Sequence, residues 1–400
     1  MPVDAATIQT LLHSHRDHLE ELHRHLHAHP ELSHQEARTA ARMAEEMRRV
    51  DGVEVHEQVG EGHGVAAILR NGEGPVVLLR ADMDALPVQE VEKVPHRSTV
   101  DGVMHACGHD THMTSLVGAV RLLAEMRDSW SGTLLAVFQP SEEDVSGARG
   151  MTEALKALVP HLDVALGQHV WPGHAGEVMT APGPVMASVD GLNVTLHGRG
   201  GHGSQPHMTI DPVVLAAHIV VRLQTIVSRL VDPAQSAVVT VGSIQAGTLQ
   251  NIIPPTAELK INVRAYDEDV RAQVKQAIER IVLAECDASG GATADFEWVT
   301  SAPATDNDPE ATERVQQAFD APFGERHVPL QPVSASEDFG LLADAYGAPY
   351  VFWMFGGFTS EPWPSNHAPT FIPDAQPTLD TGVQALVVGA LAWLGRENPS

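Results

Sequence analysis

The stretch "PVVLLRADMD", residues 75–84, decides the fold. Its first half is a short run rich in valine and leucine, the pattern of a strand buried on both faces. The run passes directly into Asp82 and Asp84. In open α/β sheets, ligands bind outside the carboxyl ends of the strands. A buried strand that ends on two carboxylates therefore predicts one edge of a parallel sheet where chemistry collects.

Working outward, other apolar runs hand over in the same way. "TLLAVFQ" (133–139) leads into Glu142 and Glu143, and "DVALGQHV" (163–170) carries His169. "PYVFWMFGG" (349–357) leads through "FTSEPWPSNH" to His367. Helical segments separate the early runs. "THMTSLVGAVRLLAEM" (111–126) puts Met113, Leu116, Val117, Val120, Leu123 and Met126 on one face, and "ALKALV" (154–159) follows. Strand alternating with helix predicts an α/β catalytic layer with a largely parallel sheet.

The texture changes after residue 185. "VDGLNVTLHG" (189–198) alternates, a helix covers 211–230, and "AVVTVGSIQAG" and "AELKINVRAY" follow as strands. A second helix over 268–286 and "TADFEWVT" complete a β-α-β-β-α-β order, a ferredoxin-like α+β unit. The expected organisation is a first domain of residues 1–185 and 302–400, interrupted by an inserted domain of residues 186–301. The length of 400 residues agrees with two cores.

The 52 acidic residues against 25 basic ones give a formal charge of −27, which leaves no basic surface for a nucleic-acid partner. No apolar run is expected to span a membrane. The N-terminal "MPVDAATIQTLLHSHRDHLEELHRHL" lacks an apolar signal region and predicts a helix. Two cysteines 179 positions apart give little reason for a disulfide, so a cytoplasmic protein is expected. With 23 histidines, a histidine counts only where its context needs it. His23, His25, His27 and His29 are taken as structural or solvated.

"MHACGHDTH" (104–112) supplies such a context. Cys107 has a buried apolar reading, a nucleophilic reading and a structural-zinc reading. Thiol, imidazoles and carboxylates converging on one sheet edge favour a polyvalent metal site, suited to zinc, with manganese or cobalt at carboxylate-rich positions. Adjacent Glu142 and Glu143 diverge on extended backbone, so one can bind metal while the other acts as a general base.

The sequence resembles the metallopeptidase M20 family, in particular its amidohydrolase branch of hippurate hydrolases, N-acyl-amino-acid amidohydrolases and auxin-conjugate hydrolases. The resemblance rests on "HAHPELSHQE", "RADMDALPVQE", "MHACGHDTHM", "FQPSEED", "GARGM", "GQHVWP", "GRGGHGSQPH", "LQNIIPPTAELKINVRAY", "SEDFG" and "NHAPTF", in family order over nearly the whole chain. It implies two divalent metal ions per subunit, zinc or manganese, with cobalt or nickel as further options. Cys107 would bridge them, with His109 and His169 at one ion and Glu143 and His367 at the other. Glu142 would be the general base and acid, and Asp84 would orient a ligand imidazole.

The inserted domain would be a lid that dimerises and supplies His202, Asn251 and Arg264. In relatives the His202 counterpart reaches the partner's active site, and the other two hold the substrate's carboxylate end. The bland readings are a glycine turn for His202, a turn cap for Asn251 and a surface ion pair for Arg264. Trp171 and Trp363 would line an acyl pocket or belong to the core. Relatives often carry an aromatic residue where this chain has His34. The implied reaction is hydrolysis of N-acyl or N-aroyl amino acids by a homodimer. N-acetyl-amino-acid deacetylation, dipeptide cleavage and a non-catalytic metal-binding role are the alternatives.

Overall fold

The computed structural model describes residues 5–396. These fall into two compact units. The first takes the chain up to Val185, then Asp306–Gln331, then everything from Asp338. The second comprises Met186–Thr305 and Pro332–Glu337.

The first unit is built on an eight-stranded sheet. Its centre runs Gly132–Gln139, Val76–Asp82, Val164–His174, Tyr350–Phe358, all mutually parallel. Parallel register aligns Asp82 with Gln139 and His169 with Met354. The carboxyl ends of these strands therefore share one edge. Val77, Leu79 and Ala81 join the core beneath the helices His109–Glu125 and Ala375–Leu394, while Leu78 and Arg80 point the other way and are equally buried. Both faces are covered, as the unbroken apolar run requires. Arg80 is the exception inside that run. It is 1% exposed, and its guanidinium is satisfied by Asp82 Oδ2 at 2.7 Å and Gln139 Oε1 at 2.9 Å.

Sequence reading missed two antiparallel strands, Val53–Glu57 and Val65–Asn71, that extend the sheet beyond Gly132–Gln139. Val53–Glu57 is only five residues long with two apolar side chains, neither fully buried, and "VAAILRN" has two alanines where bulkier strand formers would mark it.

The second unit is a four-stranded antiparallel sheet in the order Ala237–Ala246, Thr256–Ala265, Val189–His197, Thr293–Ala302. This is the ferredoxin-like arrangement. Helices Pro212–Thr225 and Glu268–Ala288 pack on it through Leu215, Ile219, Leu223, Val274, Ile278 and Val282. Cys286 belongs to this core, and both cysteines are free.

Two details differ from expectation. Residues 302–305 and 332–337 belong to the second unit. Ala335 O accepts the Ala187 N–H, and Ser334 and Ser336 bind Arg264, so tertiary bonds override chain position for 332–337. A membrane-length apolar helix also exists. Pro212–Leu230 is long and apolar enough by composition, yet its Leu215, Ile219 and Leu223 pack on the second unit's own sheet.

Candidate metal centre

The site is assembled at the carboxyl edge of the parallel strands. Gly108, in a left-handed conformation at φ 83°, starts the helix His109–Glu125. A Cβ there would stand 2.3 Å from Val170 Cγ1, so only glycine lets the Cys107–His109 turn approach the strand that carries His169. Cys107 Sγ lies 3.4 Å from His169 Nε2. His367 is brought from the far end of the chain by its own N–H, which donates to Ala106 O at 2.8 Å. His367 sits at φ 67° and Ser141, just before Glu142, at φ 54°. Such backbone strain in non-glycine residues concentrates at functional sites.

Three groups of side chains interlock here. The ligand atoms of Cys107, His109 and His169 lie within 4.8 Å of one another. Those of Cys107, Glu143 and His367 do so as well, as do those of His109, Glu142 and Glu143. Cys107 is common to the first two. His367 Nε2 is 3.3 Å from Glu143 Oε2. His109 Nε2 is 3.6 Å from Asp82 Oδ2 and 3.8 Å from both Glu142 Oε2 and Glu143 Oε1.

These residues fit a pair of cations. His109 Nε2 and Glu143 Oε1 are buried and make no hydrogen bond, which is costly unless something else binds them. The charge state points the same way. Burial, followed by the charges of Glu143 and Glu142, pushes the Cys107 thiol well above its usual range. Burial pushes Glu143 up to about 7, with Asp84 and Asp82 adding to the rise. Burial opposes a charge on His109, yet Asp82, Asp84 and Glu143 together raise it to about 10. The cluster thus draws protons to balance crowded negative charge. A divalent cation would replace them and let the thiolate form.

Asp84, 1% exposed, organises the edge. Its Oδ1 accepts the Glu142 N–H at 3.1 Å and lies 3.4 Å from His109 Nδ1, and its Oδ2 accepts the Glu143 N–H at 3.0 Å and the Ser33 hydroxyl at 2.8 Å. His34 is not remote from the site, because its N–H donates to Ser141 Oγ at 2.9 Å. Sequence reasoning missed Asn366, whose Nδ2 lies 3.7 Å from Cys107 Sγ. It also left Asp82 and His112 without a role. Their signal was the first carboxylate of "DMD" and the second imidazole of "HDTH".

The second unit holds the remaining residues. His202 pairs with Ile252 across a two-residue ladder, and Asn251 O accepts the Gly203 N–H at 2.8 Å, so His202 and Asn251 are neighbours. His202 Nδ1 accepts the Ser204 N–H at 3.2 Å, which puts the neutral ring's proton on Nε2. Arg264 lies on the strand Thr256–Ala265, apart from that ladder. Its bonds go to the neutral acceptors Ser334 O at 2.9 Å, Ser336 Oγ at 2.7 Å and Asn262 Oδ1 at 3.2 Å.

Of the N-terminal histidines, His23 and His27 are buried beside Asp110, while His25 and His29 are exposed. Trp171 stacks edge-on to His169 with ring centres 5.8 Å apart, and Trp363 packs on the core.

Residues 78–387 match peptidase family M20/M25/M40. The chain is 39% identical over 341 residues to thermostable carboxypeptidase 2 of Saccharolobus solfataricus, covering 84% of this chain and 85% of that protein. It is 38% identical over 341 residues to hippurate hydrolase of Campylobacter jejuni, covering 83% and 87%. Its fold superposes on the crystal structure of Bacillus subtilis YXEP protein, a dinuclear metal-binding peptidase from the M20 family, with a TM-score of 0.79, 32% identity and coverage of 95% and 99%.

Proposed function

The chain belongs to peptidase family M20/M25/M40 and is a metal-dependent hydrolase of amide bonds; from that premise we propose that it cleaves N-acyl or N-aroyl amino acids to a carboxylic acid and a free amino acid. The observation that carries this reading is the pair of ligand groups sharing Cys107, with Glu142 beside Glu143 and His109.

Cys107, His109 and His169 would hold one divalent ion, and Cys107, Glu143 and His367 the other. Zinc or manganese suits this set of donors, and cobalt or nickel could substitute. When bound, the ions supply Lewis acidity and lower the pKa of water toward neutrality. Glu142 takes the proton of the attacking water and returns it to the leaving nitrogen. His202 Nε2–H donates to the oxyanion as charge develops on the carbonyl. Arg264, free of any acidic partner among its hydrogen bonds, offers its planar fork to the substrate carboxylate, with Asn251 beside His202 as a second polar contact.

The first unit is then the catalytic domain and the second a lid that also dimerises. The second unit exposes apolar side chains that support a homodimer. Val213, Val214 and Val221 stand out on its first helix, and Val238 and Ile244 on the edge strand Ala237–Ala246. Two free thiols agree with a reducing cytoplasm.

The test is hydrolysis of benzoyl-, acetyl-, long-chain acyl-, indoleacetyl- and aminobenzoyl-amino acids and of free dipeptides, read by mass spectrometry with zinc- or manganese-loaded protein. Metal-dependent release of a free amino acid from acylated substrates is expected. Cleavage confined to acetylated substrates would make it a deacetylase, and cleavage confined to dipeptides a dipeptidase. No cleavage by correctly metallated protein would leave a non-catalytic metal-binding role.

A further inference from the structure

His112 is three residues after His109 on the same helix, and a ring nitrogen lies close enough to His109 and Asp82 to form a further ligand group with them. Spacing alone would make it a metal ligand. Its hydrogen bonds exclude that. The backbone N–H of Val170 points at His112 Nε2 from 2.8 Å. An amide N–H can only donate, so Nε2 carries a lone pair already in use. The ring proton is therefore on Nδ1, which donates to Asp82 Oδ1 at 2.6 Å. Asp82 is fixed in turn, because its Oδ2 accepts from Arg80 at 2.7 Å. Arg80, Asp82 and His112 are each no more than 1% exposed, so water does not compete for these bonds.

Val170 is the residue next to His169. His169 Nδ1 donates to Val170 O at 2.6 Å, which puts the ring's proton on Nδ1 and turns the lone pair of Nε2 toward Cys107. The two rings meet edge to face with centres 4.5 Å apart. One residue thus carries both restraints on His169: its N–H is held by His112, and its carbonyl holds the His169 ring.

We propose that His112 is a positioning residue, not a ligand: through the Val170 N–H it sets the orientation and tautomer of His169, with Asp82 and Arg80 setting His112. The proposal rests on the reading of His169 as a metal ligand. Loss of the partners that orient a metal ligand changes metal affinity by roughly 10–100-fold, and His112 acts on such a partner, the Val170 peptide.

Two substitutions separate the two bonds of the ring. His112→Gln places an amide oxygen near Nε2 and can still accept from Val170. His112→Asn places an amide N–H near Nδ1 and can still donate to Asp82. Zinc binding is measured by competition with a chromophoric chelator. The wild type is expected to bind two ions. His112→Asn is expected to weaken one of them about 10–100-fold, and His112→Gln to stay within about threefold. Long-range nitrogen–proton NMR on metal-free protein with labelled histidine supplies a readout that needs no metal. The signal lost in His112→Gln is expected to show a neutral ring protonated on Nδ1, and to show no coordination shift when zinc is added.

A proton on Nε2, a coordination shift on zinc, or equal effects of the two substitutions would overturn the proposal. If wild-type protein failed to bind two ions, the dinuclear reading would fall, and the NMR tautomer would still decide the state of His112. If His112→Asn did not fold, His112→Gln and the NMR spectrum would carry the decision.

Discussion

The carboxylate of Asp84 holds the backbone of Glu142, accepting its N–H at 3.1 Å, and its second oxygen holds Glu143 at 3.0 Å. One buried side chain thereby fixes both members of the acidic pair relative to the strand Val76–Asp82. Asp84→Asn keeps one acceptor and turns an N–H toward the other amide. We expect kcat/KM to fall about 10–100-fold with weakened metal binding, as for other partners of metal ligands. Steady-state kinetics with metal analysis checks this, and wild-type values for both would remove Asp84 from the site.

Glu142 and Glu143 are neighbours with different tasks, and single substitutions should separate them. Glu142→Gln removes the proton acceptor and leaves every proposed ligand in place. Turnover should drop about 10²–10⁴-fold, the usual worth of a general base. Two ions per chain should remain by elemental analysis. A variant with near-wild-type turnover would show that another group takes the proton.

Cys107 is common to both ligand groups, so its loss should be felt at both ions. Cys107→Ser substitutes a hydroxyl that is far harder to ionise than a thiol. Metal content after dialysis should fall for both ions together. Loss of one ion alone would make Cys107 a ligand to that ion and not a bridge.

The sequence made the fold legible where periodicity and burial agree. The strand from Val76 and the helix from His109 are both strongly apolar, and both fall where the pattern places them. The ligands were legible as residue types at strand ends. Their partners were not. Arg80 was hidden inside an apolar run, because a buried guanidinium has no periodic signature and is revealed only by Asp82 and Gln139 around it. Asn366 touches Cys107 from 259 positions away, a distance no local pattern spans. His112 looked like one more helical residue until its two nitrogens were seen to be taken. Residues 332–337 join the second unit through tertiary bonds such as those to Arg264.

Gly108 tests how tightly the site is built. An alanine there would have to adopt φ 83° and place its Cβ 2.3 Å from Val170 Cγ1. The backbone conformation alone costs roughly 1–2 kcal/mol, and the contact adds to it. Because Val170 also carries the restraints on His169, metal affinity should fall together with the melting temperature. A stable Gly108→Ala protein with unchanged metal binding would show that the turn can relax away from the strand.

Two buried histidines should pull the stability of the metal-free protein in opposite directions on either side of pH 6.5. Burial opposes a charge on His27, but Asp110, which accepts from its Nδ1 at 2.7 Å, and then Glu90 raise its pKa to about 9. An unfolded histidine releases its proton near pH 6.5. The bound proton therefore stabilises the fold fully below that pH, and its contribution is lost as pH rises toward 9. His23 does the reverse. Burial pushes it down to about 4, so its contribution is present above pH 6.5 and is lost as pH falls toward 4. His27→Asn retains a donor for Asp110 but cannot titrate. It should melt lower than wild type near pH 6.5, and the gap should narrow steadily between pH 7 and pH 9 in scanning calorimetry of metal-free protein. A gap that stays constant over that range would mean His27 is neutral in the fold, and that Asp110 is held by a hydrogen bond without an ion pair.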